Sequence, residues 1–81
     1  MIVVSQTFRK HFEQLDPGVQ RRISAKVEQL DLQPRAWRHE RLQGRPEYKL
    51  RLGDWRVLYD FDLAQNQLLL LTVRHRSEVH R

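Results

Sequence analysis

The sequence predicts an α+β fold of order β-α-α-β-β-β, a two-helix hairpin packed on one face of a mostly antiparallel four-stranded sheet. Three features of the chain predict it. Apolar residues recur at helical spacing between residues 8 and 30, alternate around a Gly-Asp pair between 48 and 59, and run unbroken from 68 to 71 ahead of a basic tail. The 81 residues make a single domain, residues 1–81, with one modest core.

"IVV" at residues 2–4 reads as a short strand, and Ser5 is a good N-cap for the segment after it. Phe8, Phe12 and Leu15 fall at i, i+4 and i+7, one face of a helix. Asp16-Pro17 breaks that helix and starts another, with Asp16 as cap and Pro17 at the first helical position. Val19, Ile23, Val27 and Leu30 form the apolar stripe of the second helix, with Arg21, Arg22, Lys26 and Glu28 mostly outward. That helix should end near Pro34. "PRAWRHERLQGRPE", residues 34–47, reads as an irregular connection that Trp37 and Leu42 pin to the core. His11 and His39 read as surface residues.

"YKLRLGDWRVLY", residues 48–59, reads as a hairpin whose two-residue turn has Gly53 leading Asp54. Leu52 then faces Trp55, Arg51 faces Arg56, Leu50 faces Val57, Lys49 faces Leu58 and Tyr48 faces Tyr59. Tyr48, Leu50, Leu52, Trp55, Val57 and Tyr59 make a core face. Lys49, Arg51, Arg56 and Leu58 make the other. "DFDLAQNQ" turns the chain into "LLLLTVRH", the third strand of the meander, covered on both faces. Strict alternation puts Leu68, Leu70, Thr72 and Arg74 on one side, and Leu69, Leu71, Val73 and His75 on the other. Joined to the basic side, Arg74 becomes its fourth cation.

The facing pair Arg51/Arg56 needs a reason. Like charges directly opposite on a sheet are destabilising. At about 5 Å their repulsion is of order 1 kcal/mol in water and several times that near a protein surface. Neither Asp54 nor Asp60 lies between them, and a bound anion would remove the repulsion. The composition agrees. Net charge is +5 with a pI near 10.4. Residues 1–34 hold five Lys/Arg against four Asp/Glu, and residues 35–81 hold ten against six. Twelve of the fifteen cations are arginine, which suits bidentate phosphate contacts. An acidic partner is expected, with nucleic acid the leading case.

Other classes drop out. Without cysteine there is no disulfide or thiolate chemistry. "MIVVSQTFRKHF" turns polar too soon for a signal peptide or membrane span, so a soluble cytoplasmic protein that contacts no membrane is expected. Asp60 and Asp62 share a face, but no third ligand stands at metal-binding spacing. No metal or other cofactor is expected.

"LQG", "EYKLRLGDWRVLYDF" and "VRHRSEVHR", in that order, resemble the RelE/ParE superfamily of bacterial toxins. The resemblance covers the chain in element order and is strongest from Leu42 to Arg81. In the RelE-like branch it implies the toxin of a type II toxin–antitoxin system, an endoribonuclease that cuts mRNA, often in the ribosomal A site. It also implies a cognate antitoxin that keeps the toxin inactive. Matched residue by residue, the family's basic set falls on Lys49, Arg51, Arg56 and Arg74. His80 stands where many relatives carry a catalytic tyrosine. Metal-free cleavage uses the substrate's 2′-OH to attack the adjacent phosphate. Arg56 and Arg51 would bind that phosphate with help from Lys49, Arg74 would stabilise the leaving 5′-oxygen, and His80 would act as base. Lys49, Arg51, Arg76 and His75 would also contact the RNA. The alternatives are a non-catalytic ParE-like toxin that inhibits DNA gyrase, or a basic nucleic-acid-binding module. The ParE-like branch generally lacks the basic set.

Overall fold

The computed structural model describes residues 1–79, and side chains through Ser77. The elements are β1 (Ile2–Val4), α1 (Gln6–Glu13), α2 (Pro17–Leu32), β2 (Glu40–Arg41), β3 (Tyr48–Leu52), β4 (Trp55–Asp62), β5 (Gln67–His75) and α3 (Arg76–Val79). One sheet runs in the order β1-β5-β4-β3-β2. β1 lies parallel to β5, and every other pair is antiparallel. The sheet therefore has five strands, not the four expected. The extra one is β2, where Glu40 pairs with Lys49 and Arg41 with Tyr48. Two residues are too few to show an alternating pattern, so it was not visible as a strand in the sequence. No helix among the described residues is long and apolar enough to cross a membrane.

Local chemistry sets the helix boundaries. The Ser5 hydroxyl accepts from the Phe8 amide at 3.0 Å, capping α1. The same hydroxyl donates to the Leu71 carbonyl at 2.7 Å, tying the helix start to β5. The Asp16 carboxylate accepts from the Gly18 amide at 2.9 Å, with Pro17 opening α2. α2 stops at Leu32, two residues before Pro34, as the restriction on the residue before proline predicts.

The hairpin has the expected register at all five positions. Gly53 sits at φ +57°, a conformation costly for any residue with a Cβ, which explains why glycine leads this turn. The core joins Phe8, Ile23, Val27 and Leu30 from the helices to Leu50, Leu52, Val57, Tyr59, Leu68, Leu70 and Val73 from the sheet.

Strict alternation along β5 fails at one point. Leu58 faces Thr72, but Tyr59 faces Leu70, so Leu71 is an extra residue in the ladder. Such a bulge inverts the parity of everything beyond it. Leu68 and Leu70 consequently face the core with Val73, while Thr72 and Arg74 lie on the other face. The two halves of the predicted set Leu68/Leu70/Thr72/Arg74 thus separate.

The histidines also differ from expectation. His11 Nδ1 lies 3.1 Å from the buried Thr72 hydroxyl. His39 is part-buried inside an aromatic cluster. Its ring stacks on Phe61 at 5.5 Å, and its Nε2 and Nδ1 each lie 2.7 Å from the Pro34 carbonyl and the Tyr59 hydroxyl respectively. A carbonyl can only accept, so Nε2 donates to Pro34, while Nδ1 pairs with the tyrosine hydroxyl. This latch fixes the 33–47 connection to β4. A lone His beside Arg38 and Glu40 gives no sequence signal of burial.

Tyr59 is fully buried, and burial pushes its phenol well above the ordinary tyrosine range, with Tyr48 and Glu40 adding to the shift. The native state therefore holds this proton more tightly than the unfolded chain, whose tyrosine titrates near about pH 10. Its contribution to stability is complete below that pH and is lost as pH rises past it. The urea midpoint should fall on going from about pH 9 to about pH 11.5, with a shallower fall in Tyr59→Phe. Equal slopes in the two proteins would contradict this account of the buried phenol.

Candidate functional site

The two faces of the β3–β4–β5 sheet divide the chemistry. One is core. On the other, Arg51 is directly opposite Arg56, and Arg56 directly opposite Arg74. Three arginines therefore form a single row across three adjacent strands. Residues facing each other on neighbouring strands have Cα atoms about 4.5–5.5 Å apart, so the row spans about 10 Å. Arg56, at its centre, is half-buried, and Arg51 and Arg74 are exposed. Among the described side chains, no carboxylate oxygen lies within 4.0 Å of any of the three. The side chain of Glu78, four residues after Arg74, lies outside the described ones.

The neighbouring row is Glu40, Lys49, Leu58 and Thr72. Lys49 Nζ is 3.9 Å from Glu40 Oε2, and the lysine side chain is only 17% exposed. Lys49 thus adjoins the arginine row but is partly compensated by a carboxylate that β2 brings beside it. Sequence reasoning missed Glu40 because its position depends on that two-residue strand.

At the hairpin turn a hollow of about 400 Å³ opens between Arg51, Gly53, Asp54, Arg56 and Arg76. The Arg76 amide donates to the Asp54 carbonyl, pinning the first residue of α3 to the turn. The Arg76 guanidinium lies 3.9 Å from the Asp54 carboxylate, both well exposed. Three guanidinium groups against one carboxylate leave this rim with a net positive charge and donors in several directions. His75, expected to contact substrate, pairs instead with Trp55 on the opposite face, ring edge to ring face at 4.9 Å. Its Nδ1 accepts from the Ser77 amide at 3.3 Å and so helps to close the start of α3. The same alternation that puts Arg74 on the basic face turns His75 away from it. His80 lies outside the described residues.

Among the other candidates, Asp62 Oδ1 accepts from the Ala64 and Gln65 amides, so this carboxylate shapes the β4–β5 turn. Trp55 packs against the core as expected.

Packing holds the arginine row together against its own repulsion, so removing the central charge should stabilise the fold. Arg56→Gln is expected to raise unfolding stability at low salt by about 0.5–1 kcal/mol, with the gain shrinking toward zero near about 1 M salt. Thermal melts across a salt series check this. A destabilised variant, or a gain independent of salt, would contradict the repulsion.

The fold is shared with known toxins. The isolated E. coli RelE toxin superposes with a TM-score of 0.79 at 22% identity, covering 99% of this chain and 89% of that one. The toxin–antitoxin complex RelBE2 from Mycobacterium tuberculosis gives 0.77 at 23% identity, over 94% and 96%. The archaeal RelE–RelB complex from Pyrococcus horikoshii gives 0.75 at 22% identity, over 93% and 92%. No curated protein sequence matches the chain. Residues 2–80 match the family described as the ParE toxin of type II toxin–antitoxin system, parDE. With nearly every residue inside that match and the RelE architecture throughout, the chain belongs to the ParE toxin family within the RelE/ParE superfamily.

Proposed function

We propose that this toxin is a metal-independent endoribonuclease that cleaves mRNA, acting in the ribosomal A site and so stopping translation. The observation that carries the reading is the row Arg51–Arg56–Arg74, which has no carboxylate within 4.0 Å among the described side chains. A protein that needed only stability would gain by breaking this row, so its persistence supports a bound anion.

The chemistry suits a phosphodiester. Attack by a 2′-OH on the adjacent phosphorus builds negative charge on the phosphorane oxygens. Preorganised cationic donors stabilise that charge more than they stabilise the ground state. In this reading Arg56 and Arg51 grip the scissile phosphate, and Lys49 assists from the next row. Arg74 neutralises the leaving 5′-oxygen. His80 takes the proton from the 2′-OH, a task that fits an imidazole near neutral pH. Arg76, on the rim of the same hollow, contacts the flanking RNA. The row is wide enough for one or two phosphates, too little surface to select a free RNA. A ribosome that presents the message in register would supply the missing orientation.

This reading implies two partners. RNA on the ribosome is the substrate, and a cognate antitoxin is the inhibitor. Solved relatives of the same fold are toxin–antitoxin complexes, which supports the second.

A second reading has its own support, since the matching family carries the ParE name. In that reading the toxin inhibits DNA gyrase and cleaves nothing. The experiment is in vitro translation of a defined mRNA with purified ribosomes, the cut ends mapped by primer extension, with supercoiling by gyrase assayed in parallel. Cuts within the ribosome-bound message are expected, reduced about 10²–10³-fold in Arg56→Ala, as for loss of one transition-state donor. An intact message together with inhibited supercoiling would replace this reading with the gyrase one.

A further inference from the structure

Arg51 lines two hollows. One is the hollow at the hairpin turn. The other, of about 370 Å³, lies on the far side of β3, between that strand, α2 and the 33–39 connection. Its walls include Lys26, Trp37, Arg38, Glu40, Lys49 and Arg51. The topology leaves it open. β2 pairs with β3 only at Tyr48 and Lys49, so beyond them no strand among the described residues covers this edge.

The charge inside is lopsided. Four cations face one carboxylate, and that carboxylate, Glu40, is engaged with Lys49 at 3.9 Å. Among the described side chains, neither Lys26 nor Arg38 has a carboxylate within 4.0 Å. Lys26 is instead held over the indole of Trp37, its Nζ 5.4 Å from the ring centroid. Trp37 packs against the core and also lines the hollow, so the core backs the ring that the hollow presents. A fixed aromatic ring beside unpaired cations is the combination by which proteins hold single-stranded nucleic acid: bases stack, and cations track the backbone.

We propose that this hollow is a second nucleotide subsite, which takes the base and phosphate of the nucleotide next to the one gripped by the arginine row. The base displaces Lys26 from the exposed side of the Trp37 indole and packs there, and Lys26 swings out with Arg38 to hold the phosphate. Arg51, common to both hollows, bridges the two phosphates. Because every base presents a π-face, the subsite sets affinity and register, not sequence. The proposal takes its substrate from the ribonuclease reading, but it concerns binding and is tested apart from cleavage.

The test uses the full chain carrying Trp55→Phe, which leaves Trp37 as the sole tryptophan. The probe is a uridine trinucleotide with 2′-O-methyl groups, which cannot be cut. Its binding is followed by Trp37 emission, and independently by the anisotropy of a fluorescein-labelled copy. Saturable quenching of Trp37 is expected, with Kd about fivefold or more weaker in Lys26→Ala and in Arg38→Ala. Both substitutions are on the surface of the hollow, so a folding failure at Trp37 itself does not enter. Binding without any change in Trp37 emission, an unchanged Kd in both variants, or no binding at millimolar probe would each overturn the proposal. Quenching by the trinucleotide in a protein that cuts no mRNA would keep the subsite and remove the ribonuclease reading.

Discussion

Three guanidinium groups in line across the middle of a sheet repel one another, and the rest of the molecule is arranged to hold them there. The strands that carry them are fixed from the opposite face. Leu50, Leu52, Val57 and Val73 alternate with Arg51, Arg56 and Arg74 and are buried against α1 and α2. Each arginine is therefore flanked in sequence by residues that cannot shift without exposing the core. Apolar burial contributes roughly 1.5–3 kcal/mol for each of these four side chains, together more than the repulsion of two opposed pairs, each of order 1 kcal/mol in water and several times that near a protein surface. Burial wins, and the charges stay in register. The unfavourable electrostatics are thereby stored in a rigid frame, as a preorganised anion site requires.

The periphery extends that frame at both ends. On the turn side, the backbone bond from Arg76 to Asp54 brings the start of the C-terminal helix to the arginine row. On the other side, the His39 latch on Tyr59 and Pro34 holds the 33–47 connection, and with it Trp37, Arg38 and Glu40, beside Lys49. The basic residues thus form a track that runs from the hairpin turn, across β3, to α2. Its cations come from five separate elements, β3, β4, β5, α2 and α3, and from the 33–47 connection, and only the central row has a simple local origin.

This division decides how much could be read in the sequence. The hairpin was legible to the residue, since a Gly-Asp turn fixes register and period-two alternation fixes the faces. Both helices were legible from their caps, Ser5 and Asp16, and from the spacing of Phe8 to Leu30. The placement of Arg74 was right, but the leucines before it were not, because a bulge at Leu71 inverts parity without any mark in composition. β2 escaped notice because two residues carry no period. His39 carries no mark of burial in the sequence because its partners, Tyr59 and Phe61, are distant along the chain and meet it only in the folded state. The pairing of Lys49 with Glu40 and the placing of Lys26 over Trp37 are likewise tertiary facts. Hairpin geometry groups Lys49, Arg51 and Arg56, and the resemblance to the RelE/ParE superfamily implies the same three with Arg74.

If the arginine row is an anion site, it is strained until an anion occupies it. The most direct measurement is thermal unfolding of the intact protein in phosphate and in chloride at matched ionic strength, beside the variant Arg51→Gln/Arg74→Gln. A ligand that binds only the folded state raises the melting temperature by mass action, whereas general salting effects act on both proteins alike. Phosphate should stabilise the wild type well beyond chloride, and most of this difference should be lost in the variant. The same phosphate effect in both proteins would contradict the anion site, and the row would then be a solvated arginine face.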